Sequence, residues 1–167
     1  INGIEREAKF ETVSIKDNIF KAGRVYFCNH LTPNLVWIPE YKSHKNNVFE
    51  ISEITVIDSN PLSILKKINK ITDNLKIDKL EHSITVKTDD VKLILCDEKS
   101  FTERYNNFGE QIKLRKEMFG SLTLKTSSML FLRKINPTNF LNIIKYEDKN
   151  KIQILLKDYN LILEFKN

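Results

Sequence analysis

One phrase occurs twice in this chain and sets the terms for its fold: NPLSILKKINK at 60–70 and NPTNFLNIIKY at 136–146. Each opens on Asn-Pro. Asparagine is a favoured helix cap, and proline at the first helical position gives up an N–H that has no intrahelical partner. In the first copy Leu62, Leu65 and Ile68 recur every three residues, with Ile64 and Ile71 widening the stripe, which predicts an amphipathic helix through about Lys70. Strands follow both copies. After the first come LKIDKL (75–80), HSITVK (82–87) and VKLILC (91–96), the last two joined by the turn Thr88-Asp89-Asp90. MLFLRKI (129–135) reads as a strand before the second copy. KIQILL and YNLILEF follow it as a hairpin around Lys157-Asp158.

Residues 51–97 and 129–167 therefore share one order: strand, Asn-Pro cap, short helix, then strands ending in a hairpin. The stretch 10–50 adds FETVSI, NIFKAGRVYFCN and LVWIPEY, each bounded by Asp, Asn or Pro. The expected fold class is α+β, built from repeated units of a helix plus antiparallel strands, with short helices on one face of a sheet. The expected organisation is a first domain at 1–97, a connector at 98–128 and a partial second domain at 129–167. The connector resists assignment, because Asn106, Asn107 and Gly109 interrupt any single helix.

Composition narrows the function classes. The 167 residues can bury a real core, and only four glycines leave no room for a glycine-rich phosphate loop. No apolar run approaches the roughly 18 residues of a membrane span, and INGIEREAKF shows no signal-peptide pattern. Cys28 and Cys96 read as reduced thiols in apolar strands, so an intracellular location is the expectation, cytoplasmic or nuclear. His30, His44 and His82 lack metal-ligand spacing, and no nucleophile–base arrangement is suggested, so neither an enzyme nor a cofactor is expected. The Glu-x-Lys of PEYK, centred on Glu40, has no acidic partner strand to make a nuclease. Asp89 and Asp90 read as turn residues, and Trp37 as core. The net charge of +5 suits an acidic partner, although richness in Lys, Asn and Ile fits an AT-rich genome that inflates Lys.

The layout FETVSIKDNIFKAGRVYF, ITVIDSNPLSILKKI, LKIDKLEHSITVKTDDVKLILCDE resembles the first domain of a DNA sliding clamp of the T-even phage or proliferating cell nuclear antigen type. MLFLRKINPTNFLNIIKYEDKNKIQILLKDYNLILEF resembles the opening half of the second. A clamp subunit has four half-units, and this chain supplies about three. The resemblance implies a homo-oligomeric ring around double-stranded DNA, acting as a polymerase processivity factor in DNA replication. Its partners would be DNA polymerase and the clamp loader, with no membrane. The implied DNA-facing residues are Ser63, Lys66, Lys67 and Lys70, then Asn142 and Lys145 beside Thr138, with Arg6 and Lys9 added. The implied partner-binding residues are Tyr105, Phe108, Met118 and Phe119. A competing resemblance is to a pleckstrin-homology or GRAM-type module, carried by AGRVYFCNHLTPNLVWIP and HSITVKTDDVKLILCDEKSFTERYNNF. It would place Lys16, Lys21 and Arg24 on an anionic lipid head group.

Overall fold

A computed structural model describes the backbone of residues 5–15, 20–115, 117–137 and 142–167 and, apart from 109 and 110, their side chains. Near the N-terminus β1 (Phe10–Ser14) and β2 (Tyr26–His30) form an antiparallel pair separate from the main sheet. The rest of the chain builds one eight-stranded sheet. In chain order its elements are β3 (Val48–Asp58), α1 (Pro61–Ile68), β4 (Lys76–Lys79), β5 (Ser83–Lys87), β6 (Lys92–Cys96), α2 (Glu98–Arg104), β7 (Glu117–Thr126), α3 (Leu130–Arg133), β8 (Ile143–Glu147), β9 (Lys151–Leu156) and β10 (Leu161–Lys166).

The strand order is β4-β5-β6-β3-β7-β10-β9-β8, which reads the same from either edge. Each half runs strand, helix, then three strands, and its last strand lies parallel beside its first: β6 along β3, β10 along β7. A parallel pair needs a long crossover, and the intervening helix and two strands supply it. The halves join where β3 and β7 pair antiparallel.

α1 forms where the Asn-Pro signal places it. The Asn60 side chain accepts a hydrogen bond from the Ser63 N–H at 3.1 Å, and Pro61 takes the first helical position. Its buried stripe is Ile64, Leu65 and Ile68, packed on Val56 and Leu95 of the sheet and Ile84 and Val86 beside them. Leu62, expected inside, is exposed, and Lys67, expected outside, is half-buried.

Pleating sends neighbouring residues to opposite faces. Val56 and Leu95 face α1, and in the second half Ile152, Ile154 and Phe165 face α3 through Met129 and Leu132. Ile57, Cys96, Met118, Leu155 and Ile162 face the other way, where Phe101, Tyr105 and Phe108 of α2 and the turn after it cover them. Each fully buried aromatic there contributes about 2–3 kcal/mol by leaving water.

This corrects the expected fold. The protein is mostly one large mixed sheet with few short helices: in each half the last strand pairs parallel with the strand before the helix, and the helices do not share one face, α1 and α3 packing on one side and α2 on the other. MLFLRKI forms the turn of α3 and not a strand, because a short apolar run fits either state until tertiary packing decides. The opening strand of the second half is EMFGSLTLKT, inside the segment 98–128 expected as a connector. The helix expected from Asn136-Pro137 falls largely on 138–141, outside the described residues.

Candidate functional site

Strand registers across the α2 face bring together one side chain per strand in a continuous row. Lys76 pairs with Lys87, Lys87 with Lys92, Lys92 with Glu53, Glu53 with Thr123, Thr123 with Glu164, Glu164 with Gln153, and Gln153 with Tyr146. One step further from α2, Glu50 pairs with Lys125, Lys125 with Lys166, and Lys166 with Lys151. One step nearer, Ile94, Thr55, Ser121 and Ile162 begin the apolar floor under α2. The face thus passes from a covered apolar half to an open charged half, with the polar row at the boundary.

At the middle of that row Arg104, the last residue of α2, reaches down to the sheet. Its Nη2 donates to Glu53 Oε2 at 2.6 Å and to Glu164 Oε1 at 3.3 Å. Thr123 Oγ1 donates toward the same two oxygens, at 3.3 and 3.4 Å. Gln153 Nε2 donates to Glu164 Oε2 at 2.5 Å, and Lys166 Nζ pairs with Glu164 Oε1 at 2.8 Å. Burial pushes the Glu164 carboxyl up, but hydrogen bonds from Lys166 and Gln153 and the charges of Lys166 and Arg104 outweigh it, leaving the group below the ordinary carboxylate range. Burial likewise opposes ionisation of Glu53, and Arg104, Lys166 and Lys92 outweigh it. Both glutamates are therefore ionised at neutral pH and committed to cations. Tyr105 OH donates to Ser121 Oγ at 2.8 Å just behind them. Burial holds the Cys96 thiol up at about 12, so it is inert as a nucleophile.

Beyond the network a cleft of about 590 Å³ opens, lined by Glu50, Ser52, Lys87, Asp89, Lys92 and Lys125 among others. Lys87, Lys92 and Lys125 of its lining belong to two lysine triplets in directly opposed positions that extend across the face beside it. Lys76, Lys87 and Lys92 stand side by side on β4, β5 and β6; Lys125, Lys166 and Lys151 do so on β7, β10 and β9. Side chains in such pairs are only about 5 Å apart at Cβ, and like charges so placed repel. The carboxylates present offset part of this: Asp78 pairs with Lys87, Glu53 with Lys92 at 3.6 Å, and Glu50 with Lys125 at 2.7 Å. Among the described residues on this half of the face, the six lysines and Arg104 meet Glu50, Glu53, Asp78 and Glu164, and Asp89 and Asp90 of the β5–β6 turn add two more carboxylates at the cleft. Among the described residues no group of three or more His, Cys, Asp or Glu side chains is arranged to hold a metal.

The residues singled out from sequence lie elsewhere. Lys66 and Lys70 are exposed on α1, Ser63 is half-buried, and Lys67 turns toward the sheet. Arg6 and Lys9 lie in the extended N-terminal stretch and leading into β1, not on a helix. Asn142 donates to Asp158 at 2.7 Å. Lys145 is buried, its ammonium donating to the carbonyls of Arg133 and Ile135 and pairing with Glu147 at 2.7 Å. Tyr105, Phe108 and Met118 are core residues, while Phe119 is partly exposed on the opposite face. His30 stacks on Trp37 and meets the Phe10 ring edge-on, and Trp37 itself is exposed. Lys16 lies outside the described residues. Glu53, Gln153 and Glu164 went unmarked, although each interrupts an apolar run in VFEISEITVID, KIQILL or LILEFK. That interruption is the signal that would have found them.

No family model and no curated protein matches the chain. Among solved structures, a hypothetical protein from Staphylococcus aureus matches at a TM-score of 0.57 and 11% identity over 95% of this chain. The chain spans about half of that protein, 50% of its length. Methylmalonyl-CoA epimerase from Mycobacterium tuberculosis matches at 0.43 and 10% identity, over 74% of this chain and 91% of that one. A variant of 4-hydroxymandelate synthase from Streptomyces coelicolor matches at 0.41 and 10%, over 86% and 54%. The fold is thus that of the Staphylococcus aureus protein. A single sheet whose strand order is a palindrome, with helices on both faces, is not the clamp arrangement of helices on one face. The clamp resemblance is corrected accordingly. With it fall the processivity role in DNA replication, the partners double-stranded DNA, polymerase and clamp loader, and the homo-oligomeric ring whose closure they required. The lipid-binding alternative falls too. No helix among the described residues is long and apolar enough to cross a membrane.

Proposed function

We propose that this protein binds a small polyanionic molecule, a phosphorylated or polycarboxylate compound, in the open half of the α2 face. The observation that carries the reading is the pair of lysine triplets, Lys76–Lys87–Lys92 and Lys125–Lys166–Lys151, of which Lys87, Lys92 and Lys125 line the cleft. Directly opposed lysines cost stability in the empty protein, and an anion seated between them removes that cost. The triplets begin on β6 and β7, two strand spacings apart, so the anionic groups of a matching ligand stand about 10 Å from one another or on one compact multivalent centre. Arg104 fixes the glutamates beneath, so they repel the ligand less than free carboxylates would; Glu53 positions Lys92 at the cleft and Glu164 holds Lys166 beside it. Both glutamates are held ionised by paired cations, and their part in the site is to position those cations.

Calorimetric titration with pyrophosphate and citrate, against acetate as a monovalent control, tests this. The expected result is saturable binding of the polyanions that weakens at least tenfold between low and high salt, since exposed charges are screened. Equal, unsaturable heats for all three would overturn the reading.

A further inference from the structure

Two kinds of carboxylate meet the lysine triplets. Glu53 and Glu164 are fixed from beneath: their side chains are 15% and 2% exposed, Arg104 and Thr123 bond both, and Gln153 bonds Glu164. Glu50 and Asp78 are held by lysine alone. Glu50 Oε1 pairs with Lys125 Nζ at 2.7 Å and Asp78 pairs with Lys87, and the two carboxylate side chains are 35% and 64% exposed. Among the described residues neither accepts a hydrogen bond from the backbone or from a third side chain. Lys87 and Lys125, one from each triplet, line the cleft, and each already carries one of these carboxylates. Glu50 also borders a second open cleft, with Trp37, Tyr41 and Lys42 on its walls, which leaves the side chain room to swing away.

Exposed ion pairs hold weakly, because water screens the attraction and two long side chains lose freedom in one geometry. Buried, hydrogen-bonded carboxylates stay paired, since opening would leave an uncompensated charge behind. We propose, resting on the polyanion reading of the lysine face, that Glu50 and Asp78 are the site's own competing ligands. They occupy Lys125 and Lys87 when the site is empty and are displaced when a polyanion binds. This sets selectivity. A tethered carboxylate acts at high effective concentration, and a free monocarboxylate offers each lysine only what it already has while giving up its translational freedom. Singly charged anions are therefore kept out. A polyanion replaces both pairs in one binding event.

The test is calorimetric titration of the full chain with pyrophosphate and with acetate, in the wild type and in Glu50→Gln with Asp78→Asn. The double variant should bind pyrophosphate about tenfold more tightly and show saturable acetate binding that the wild type lacks. Asp89→Asn with Asp90→Asn is the control. These two carboxylates line the same cleft and pair with no lysine among the described residues, so the gain there should stay below about twofold. Carboxyl-carbon NMR of the wild type gives a second measure: the signals of Glu50 and Asp78 should move as pyrophosphate saturates, and those of Glu53 and Glu164 should move little. Pyrophosphate binding by the wild type with equal gains in the two double variants, or with Glu50 and Asp78 unmoved, overturns the proposal and leaves the anion site standing. No pyrophosphate binding by any of the three proteins overturns both.

Discussion

Arg104 and Glu164 stand sixty residues apart in sequence and meet at 3.3 Å, across the line where the two halves of the sheet join. The same guanidinium nitrogen holds Glu53 of the first half at 2.6 Å. One residue of α2 thus links the two halves by bonding both carboxylates of the polar row. Arg104→Leu leaves Glu53 short of its main cation and Glu164 with Lys166 as its remaining one. Destabilisation of about 3 kcal/mol is expected in urea unfolding, because Glu164 is buried and loses a partner without gaining water. Arg104→Lys should recover part of that, since an ammonium restores charge but not the guanidinium geometry.

The acid limb of stability follows from the same network. Glu53 and Glu164 titrate below their ordinary value of 4.5 in the folded protein. Groups depressed in this way add stability above the unfolded pKa, and lose it as pH falls through the folded one. Stability should therefore be level from neutrality to about pH 5 and fall below it. In Arg104→Leu the fall should begin at higher pH. Urea midpoints measured from pH 3 to 7 check both.

Relief of the lysine triplets should separate stability from binding. Lys76 and Lys151 make no side-chain ion pair among the described residues, so Lys76→Gln with Lys151→Gln removes repulsion and little else. The double variant is expected to gain about 0.5 kcal/mol in unfolding free energy while binding pyrophosphate several-fold more weakly. Urea melts and calorimetry on the same preparation give both signs.

Gly120 is a packing constraint on α2. A Cβ there would stand 2.5 Å from the Phe101 ring and 2.9 Å from Ile57. Gly120→Ala should cost about 1–3 kcal/mol through overpacking, and less in a Phe101→Leu background where the ring is gone. A double-mutant cycle by thermal melts reads the coupling.

How much of this was legible in the sequence depends on whether the signal was local. The Asn60-Pro61 cap, α1 and the β5–β6 hairpin rest on residues within one turn of each other, and Thr88 closes that turn by bonding Val91 in both directions. The two-fold order of elements was visible, but its boundaries were not. MLFLRKI took a helical turn because Met129 and Leu132 pack onto Ile152, Ile154 and Phe165, which no periodicity in seven residues reveals. The polar row and the lysine triplets were hidden for a further reason. Lys87 and Lys92 share a hairpin, but Lys125 meets Lys166 only because β10 runs parallel beside β7, and that pairing is set by the whole half-sheet. The lysines that seemed to line a face, on α1, shared a helix. Those that do face one another come from six strands.

The central claim is that the lysine triplets hold an anion, and amide NMR mapping of a pyrophosphate titration tests it most directly. Saturable shifts confined to Lys87, Lys92, Lys125, Lys151 and Lys166 and their strand neighbours, lost on adding salt, are what the account predicts. Shifts that fail to saturate, or that fall on the exposed lysines of α1 instead, would contradict it.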